Sequence, residues 1–219
     1  MWEVCMDRNL TEWELIYSQF NVDGIYSFIE ETAKKHNMSQ TLAALPYVMK
    51  AHAGQLRKGE CELPYVIHPL TVAAHALSLQ IFEDSLVAAC LCHDVCEDCV
   101  DERGERIRPG DLPIGEAAKT AVEYVTKNKE TIYHENEYYK KIKTDRLAML
   151  VKILDRCHNI SKMATGFSRE RINAYITETE DYVFPLIDAI ENEYPTYKNA
   201  MFLVRYHMLA VMESLKRYV

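Results

Sequence analysis

Residues 84–98 read DSLVAACLCHDVCED. From Leu86 to Cys92 the run is apolar on every side, which marks a helix enclosed by others rather than one lying on a surface. Its end then carries His93, Asp94, Glu97 and Asp98 within six residues. Desolvating an unpaired carboxylate is costly enough that such groups pair, bind a metal or take up a proton. Packed this closely they repel one another unless a cation or shared protons intervene.

A second segment, VKILDRCHN at 151–159, makes the same demand. Asp155 and Asn159 stand four apart on a helix whose inner stripe includes Leu147, Leu150, Val151 and Leu154, so both project from its buried side or margin. Alone, Asp155 is equally well a salt-bridged core residue. His68 opens a separate helix and can offer another neutral nitrogen. Two imidazoles and two carboxylates form a mixed donor set suited to a divalent ion such as Mn2+, Fe2+ or Zn2+.

Around these segments the chain reads as helix after helix. Helices are predicted over 22–36, over 40–56 with Ser39 as cap, from His68-Pro69 onward, over 84–96, over 115–126 and over 133–142. Others run from Thr144 or Asp145 to about 163, from the Ser168 cap to about 192, and from 195 to about 218. Residues 57–66, 99–114 and 128–131 carry the polar and turn residues of connections. No stretch alternates with a period of two, so the fold class is all-α. The expected organisation is an N-terminal helical extension over 1–44, a core over 45–192 and a C-terminal helix over 193–219. In that last helix Phe202, Tyr206, Leu209 and Met212 suit packing on the domain or on a second subunit, which leaves a homo-oligomer open.

A net charge of −8 over 219 residues argues against nucleic acid as a partner. A small anionic substrate stays open, because a metal and a few local cations override the global sign. No basic amphipathic segment points to a membrane surface, and the longest apolar run, Leu86–Cys92, is far too short to span a bilayer. Glu3, Asp7 and Arg8 break up the first residues, so no signal peptide is expected. Seven cysteines without framework spacing fit reduced cytoplasmic thiols, and Cys90, Cys92, Cys96 and Cys99 read as packing residues of a buried helix.

Five blocks in order, AHAGQLRK (51–58), PYVIHP (64–69), CHDVCED (92–98), VTKNK (125–129) and VKILDRCHN (151–159), resemble the HD superfamily of metal-dependent phosphohydrolases. More narrowly, they resemble the hydrolase domain of RelA/SpoT homologues, over about residues 45–190. The resemblance implies an HD-domain helical bundle with His68, His93, Asp94 and Asp155 as ligands of one divalent ion, most simply Mn2+. It implies that Glu97 and Asp98 position or deprotonate the attacking water and that Asn159 fixes substrate or water. Arg57, Lys58 and Tyr65 match the nucleotide-contacting loop, Lys129 a phosphate contact, and Arg171 with Tyr175 a pair found in stand-alone small hydrolases. Lys129 is equally well a solvated loop residue, whereas an ordinary helix-surface pair is the lesser reading of Arg171 with Tyr175. His52 and His158 read as structural or supporting groups.

The activity implied is removal of the 3′-pyrophosphate from guanosine 3′,5′-bis(diphosphate) or its pentaphosphate relative, as in the stringent response. No room remains in 219 residues for synthetase and regulatory domains, so hydrolysis alone is expected. Two departures bear on the substrate. The stretch from Arg57 to His68 is about two residues longer than the family pattern, and ERGERIRPGDLPIG follows Asp98 and Cys99-Val100-Asp101 in place of the usual acidic, threonine-containing motif and FG turn. Another nucleotide (an adenosine counterpart, the 2′-phosphate of NADPH or a dNTP) is the competing substrate, and a non-catalytic nucleotide sensor is the reading from another class.

Overall fold

The computed structural model describes residues 21–57, 63–127 and 134–216, and these are all-α. The helices are α1 (Val22–Lys35), α2 (Ser39–Ala51), α3 (Ile67–Ser78), α4 (Asp84–Cys92), α5 (Val95–Asp98) and α6 (Glu116–Val125). They continue as α7 (Glu135–Ile142), α8 (Arg146–Gly166), α9 (Arg169–Glu178), α10 (Phe184–Glu193) and α11 (Lys198–Leu215). Among the described residues the extended pairings are two isolated antiparallel bridges, Leu56 with Pro64 and Val100 with Arg106. No helix of the described residues is long and apolar enough to cross a membrane.

The axis of the bundle is α4, whose residues from Leu86 to Cys92 have no exposed surface. Helices α2, α3, α6 and α8 pack around it, and α1 backs α2 and α3. On its far side α8 carries α10 and α11. This layering brings the C-terminal end of α4, the first turn of α3 and the middle of α8 to one corner. Cys90, Cys92, Cys96, Cys99 and Cys157 are buried free thiols, and burial pushes Cys96 up to about 12 and Cys99 to about 11.

Three boundaries differ from the pattern-based expectation. Helix α2 ends at Ala51, not 56, in a turn where Gly54 takes φ +75°, a backbone region that disfavours other residues. Its start is not capped by Ser39, which is the first helical residue. The cap comes from the start of α4, where the Asp84 carboxylate accepts from the Gln40 and Thr41 amides at 2.9 and 2.8 Å.

The predicted single helix over 84–96 breaks at His93-Asp94. His93 Nδ1 takes the Cys90 carbonyl at 2.8 Å, and the Asp94 carbonyl restarts the ladder by accepting from Glu97 and Asp98. The predicted helix over 168–192 is divided by a wide π-turn over Thr179–Val183. Pro185 lacks the amide that would bond the Asp181 carbonyl four residues back, and the widened turn accommodates that loss.

Candidate metal centre and substrate cleft

His68 enters from the first turn of α3, His93 and Asp94 from the break after α4, and Asp155 from the middle of α8. Their side-chain atoms converge. His68 Nε2 lies 3.2 Å from His93 Nε2 and 3.3 Å from Asp155 Oδ1, while Asp155 Oδ1 lies 3.8 Å from His93 Nε2. Asp94 spans both rings, with Oδ1 at 3.2 Å from His93 and Oδ2 at 3.3 Å from His68. The edge of a tetrahedron of ligands about 2.1 Å from a metal is about 3.4 Å, so the spacing fits a divalent ion. Among the described residues His68, His93 and Asp155 form a compact metal-capable group, with Asp94 beside it.

The hydrogen bonds behind the rings agree with that reading. A carbonyl only accepts, so the bond to Cys90 O puts the proton of neutral His93 on Nδ1 and leaves Nε2 as a lone pair. His68 Nδ1 stands 2.6 Å from His158 Nδ1. Burial drives the His158 pKa far down, so its ring is neutral and can accept at Nδ1. Donation from His68 to His158 then frees the second Nε2 toward the same point. Without a metal, burial opposes charge on His93, but Asp94 and Asp155 outweigh it and hold the ring well above the usual imidazole range. Burial likewise works against the two carboxylates. His93 and His68 keep Asp94 ionised, and Lys152 with both imidazoles does the same for Asp155.

This corner opens into a cleft of about 550 Å³ lined by α3, α5, α8 and α9 side chains. Glu97 stands on its wall, accepting from the Lys127 amide at 3.2 Å. Asp98 is at the mouth, 3.1 Å from the Tyr65 hydroxyl. Asn159 donates to Asp155 Oδ1 at 2.6 Å, so in this arrangement its amide orients the carboxylate. Tyr65 donates to Asp94 Oδ2 at 2.6 Å, and burial together with Asp94 pushes its pKa strongly up, keeping it a donor. Its hydroxyl is thus turned to the metal corner, leaving its ring toward the cleft. Arg57 also lines the cleft, and Arg171 and Tyr175 line it from α9. Lys58 and Lys129 lie outside the described residues. His52 is buried, bonds Gln55 at 2.8 Å and approaches the Cys99 thiol, a supporting place away from the converging ligands.

Several cleft residues escaped the sequence reading. Lys152, buried on α8, reaches Asp155 Oδ2 at 2.9 Å; burial opposes its charge, yet Asp155 holds it well above the usual range. Lys127 approaches Glu178 at 3.8 Å, and burial and then Lys152 lower its pKa. Arg156 is buried against Glu178 at 2.6 Å and lies 4.3 Å from the centre of the Tyr175 ring, which fixes that ring from behind. Phe167 packs edge-on to Tyr175, and the Arg171 guanidinium covers the Phe167 ring at 3.8 Å. The signal for Lys152 was present, a lysine inside an apolar stripe three residues before Asp155. Nothing local points to Phe167.

Residues 65–160 match the HD domain family, a span that holds His68, His93, Asp94, Asp155 and Asn159. Over 198 residues the chain is 31% identical to the guanosine-3′,5′-bis(diphosphate) 3′-pyrophosphohydrolase of Aquifex aeolicus, covering 80% of this chain and 27% of that protein. It is 29% identical over 174 residues to the GTP pyrophosphokinase rsh of Brucella suis, covering 74% of this chain and 22% of that one. The chain thus spans about a quarter of the length of these curated relatives. A solved structure of a metazoan ortholog of SpoT, which hydrolyses ppGpp, superposes with a TM-score of 0.56 at 20% identity, over 75% of this chain and 93% of that one. That likeness shows the same fold. The family match lies across the metal corner, and residues 65–160 of the chain carry an HD domain.

Proposed function

We propose that this chain is a metal-dependent hydrolase that removes the 3′-pyrophosphate of guanosine 3′,5′-bis(diphosphate)-type alarmones. The observation that carries the reading is the polarity of the cleft. Two imidazoles and two carboxylates converge at one corner, and Lys127, Lys152 and Arg171 line the same cleft beside them. A substrate with a pyrophosphate bridging a metal and ammonium groups completes both sets. The relatives with matching sequence over most of the chain include a 3′-pyrophosphohydrolase of that nucleotide.

His68, His93, Asp94 and Asp155 would hold the ion. Their nitrogen–oxygen set, without a thiolate, suits Mn2+, Fe2+ or Zn2+ without choosing among them, and the family resemblance points to Mn2+. A divalent ion there supplies Lewis acidity, lowering the pKa of water and neutralising phosphate charge. Glu97 and Asp98 line the cleft and would take the proton of a water as its oxygen attacks the phosphorus bonded to the 3′-oxygen. The P–O bond to the ribose breaks, the 3′-oxygen gains a proton, and pyrophosphate leaves. Lys127 and Lys152 screen the transferred charge. Arg57, Tyr65 and the Phe167–Arg171–Tyr175 group offer flat surfaces for the base, with Lys58 and Lys129 as further contacts. The core would be 45–192, with 1–44 as an extension and 193–219 as a closing helix, of which 1–20 and 217–219 lie outside the described residues. The reduced buried thiols support a cytoplasmic setting.

Mn2+-loaded protein incubated with 3′-pyrophosphorylated guanosine and adenosine nucleotides, NADPH and dNTPs, with products resolved by ion-exchange chromatography, tests the reading. Pyrophosphate and GDP or GTP are expected from the guanosine substrates. Release of monophosphate from NADPH alone defeats it, and tight binding without turnover assigns the sensor role instead.

A further inference from the structure

Helix α11 is apolar on two opposite faces. Ala200, Met201, Val204, Met208 and Met212 face inward and are buried, while Phe202, Tyr206 and Leu209 face outward at 63, 66 and 37% exposure. A helix with two apolar faces is one covered on both, yet among the described residues this one is covered on a single side. Of the large apolar side chains exposed among the described residues, half lie on this helix between 202 and 209, counting Leu203. Phe202 and Tyr206 are stacked along the stripe, their planes 13° apart.

The ends of the stripe say what covers it. Lys198 begins it in the first turn and Glu213 ends it in the last, both exposed. Each charge stands at the end of its own helix that its sign disfavours, since cations favour the C-terminus and anions the N-terminus, and Glu213 shares Lys216 at 3.0 Å with Glu180. An antiparallel second α11 reverses both costs. With a two-fold axis beside Tyr206, Lys198 meets the other copy's Glu213, Phe202 meets its Leu209, and the two tyrosines lie near the axis. The sequence spacings match, because 198 to 202 and 209 to 213 are equal steps along one face.

We propose that this outer face of α11 is the interface of an isologous dimer of the chain. The seam runs along about 22 Å of helix, so the dimer sits at the small end of specific interfaces and forms in the micromolar range. It leaves the cleft open: α11 packs on the side of α8 where Ser161 meets His207 at 2.7 Å, whereas Asp155 and Asn159 face the cleft.

Sedimentation velocity of the full chain from about 1 to 200 μM reads the association directly, without reference to activity. A reversible monomer–dimer equilibrium is expected. Tyr206→Glu should weaken it about a hundredfold or more by burying a carboxylate at the axis, with helical circular dichroism and melting temperature unchanged because the side chain lies in solvent. Lys198→Glu and Glu213→Lys should each weaken self-association about tenfold. A mixture of these two variants should pair at least as tightly as the wild type, since each copy then supplies the charges the other lacks. A monomer throughout, a dimer indifferent to Tyr206→Glu, or a mixture no tighter than its components overturns the proposal and assigns the stripe to another occupant.

Discussion

At one corner of the cleft His68, His93, Asp94 and Asp155 gather two carboxylates against two imidazoles; beside it Lys127 and Arg156 meet Glu178, and Lys152 meets Asp155. Both clusters are largely withdrawn from water and share α8, yet they lean toward opposite charge. The first has more lone pairs than protons and closes around a cation. The second sets three cations against Glu178 and the shared Asp155, a balance that suits an anion. Lys152 and Asp155, 2.9 Å apart, tie them together. Neither cluster is explained as a stabilising device, since buried ion pairs contribute little net stability. A metal and a phosphate together explain both.

Removing the shared carboxylate should have the largest effect. Asp155→Ala takes one ligand from the centre, leaves Lys152 buried without its partner and releases Asn159. Lewis acidity is worth several kcal/mol, so turnover should fall about 10³-fold or more, and bound metal measured by elemental analysis should fall with it. Full activity at full metal content in this variant would sink the ligand assignment.

Lys152→Met separates the clusters. The methionine keeps the apolar stem and removes the charge, leaving Asp155 as an anion compensated only by imidazolium or metal. Breaking a buried pair this way costs about 3 kcal/mol. The loss should appear in thermal melts of the chelated protein and shrink when metal is added. Equal losses with and without metal would mean that Lys152 acts as packing alone.

The same comparison predicts a pH dependence. In the metal-free protein His93 has a pKa raised above its unfolded value of about 6.5. Its contribution to stability is therefore complete below that value and is lost as pH rises through the folded one. Metal binding needs the neutral ring and displaces that proton. Within this window the apparent metal affinity should rise about tenfold per pH unit, while the melting temperature of the chelated protein falls. Parallel melts with and without Mn2+ should diverge as pH rises; curves that stay parallel would remove His93 from the centre.

The metal cluster was legible in the sequence because carboxylates and imidazoles inside apolar helices are conspicuous. His93-Asp94 and Asp155 interrupt stretches that would otherwise be continuous core. The cationic cluster was less so, although Lys152 violates the same rule, because a lysine stem is easily assigned to apolar packing with its head in solvent. What stayed hidden depended on partners far along the chain. The cap of α2 comes from Asp84, more than forty residues away, and the break at His93 has no glycine or proline to announce it. The group formed by Phe167, Arg171 and Tyr175 exists only because α8 and α9 meet at that angle.

That group gives the smallest effect and the sharpest view of specificity. Arg171 covers one face of Phe167 at 3.8 Å, Tyr175 meets the ring edge-on, and Arg156 fixes Tyr175 from the interior. None of these side chains touches the converging ligands, so Phe167→Ala should leave metal content and maximal turnover near wild type. It removes the surface on which Arg171 rests and so loosens the side of the cleft away from the phosphates. Aromatic contacts of this kind contribute about 1–3 kcal/mol per base, so KM should rise about tenfold with kcat little changed. The loss should be largest for the substrate the cleft prefers, and the guanosine-to-adenosine ratio of kcat/KM should move toward one. A fall in kcat at constant KM would instead tie the Phe167 group to the metal corner and end the separation of binding from chemistry drawn from their geometry.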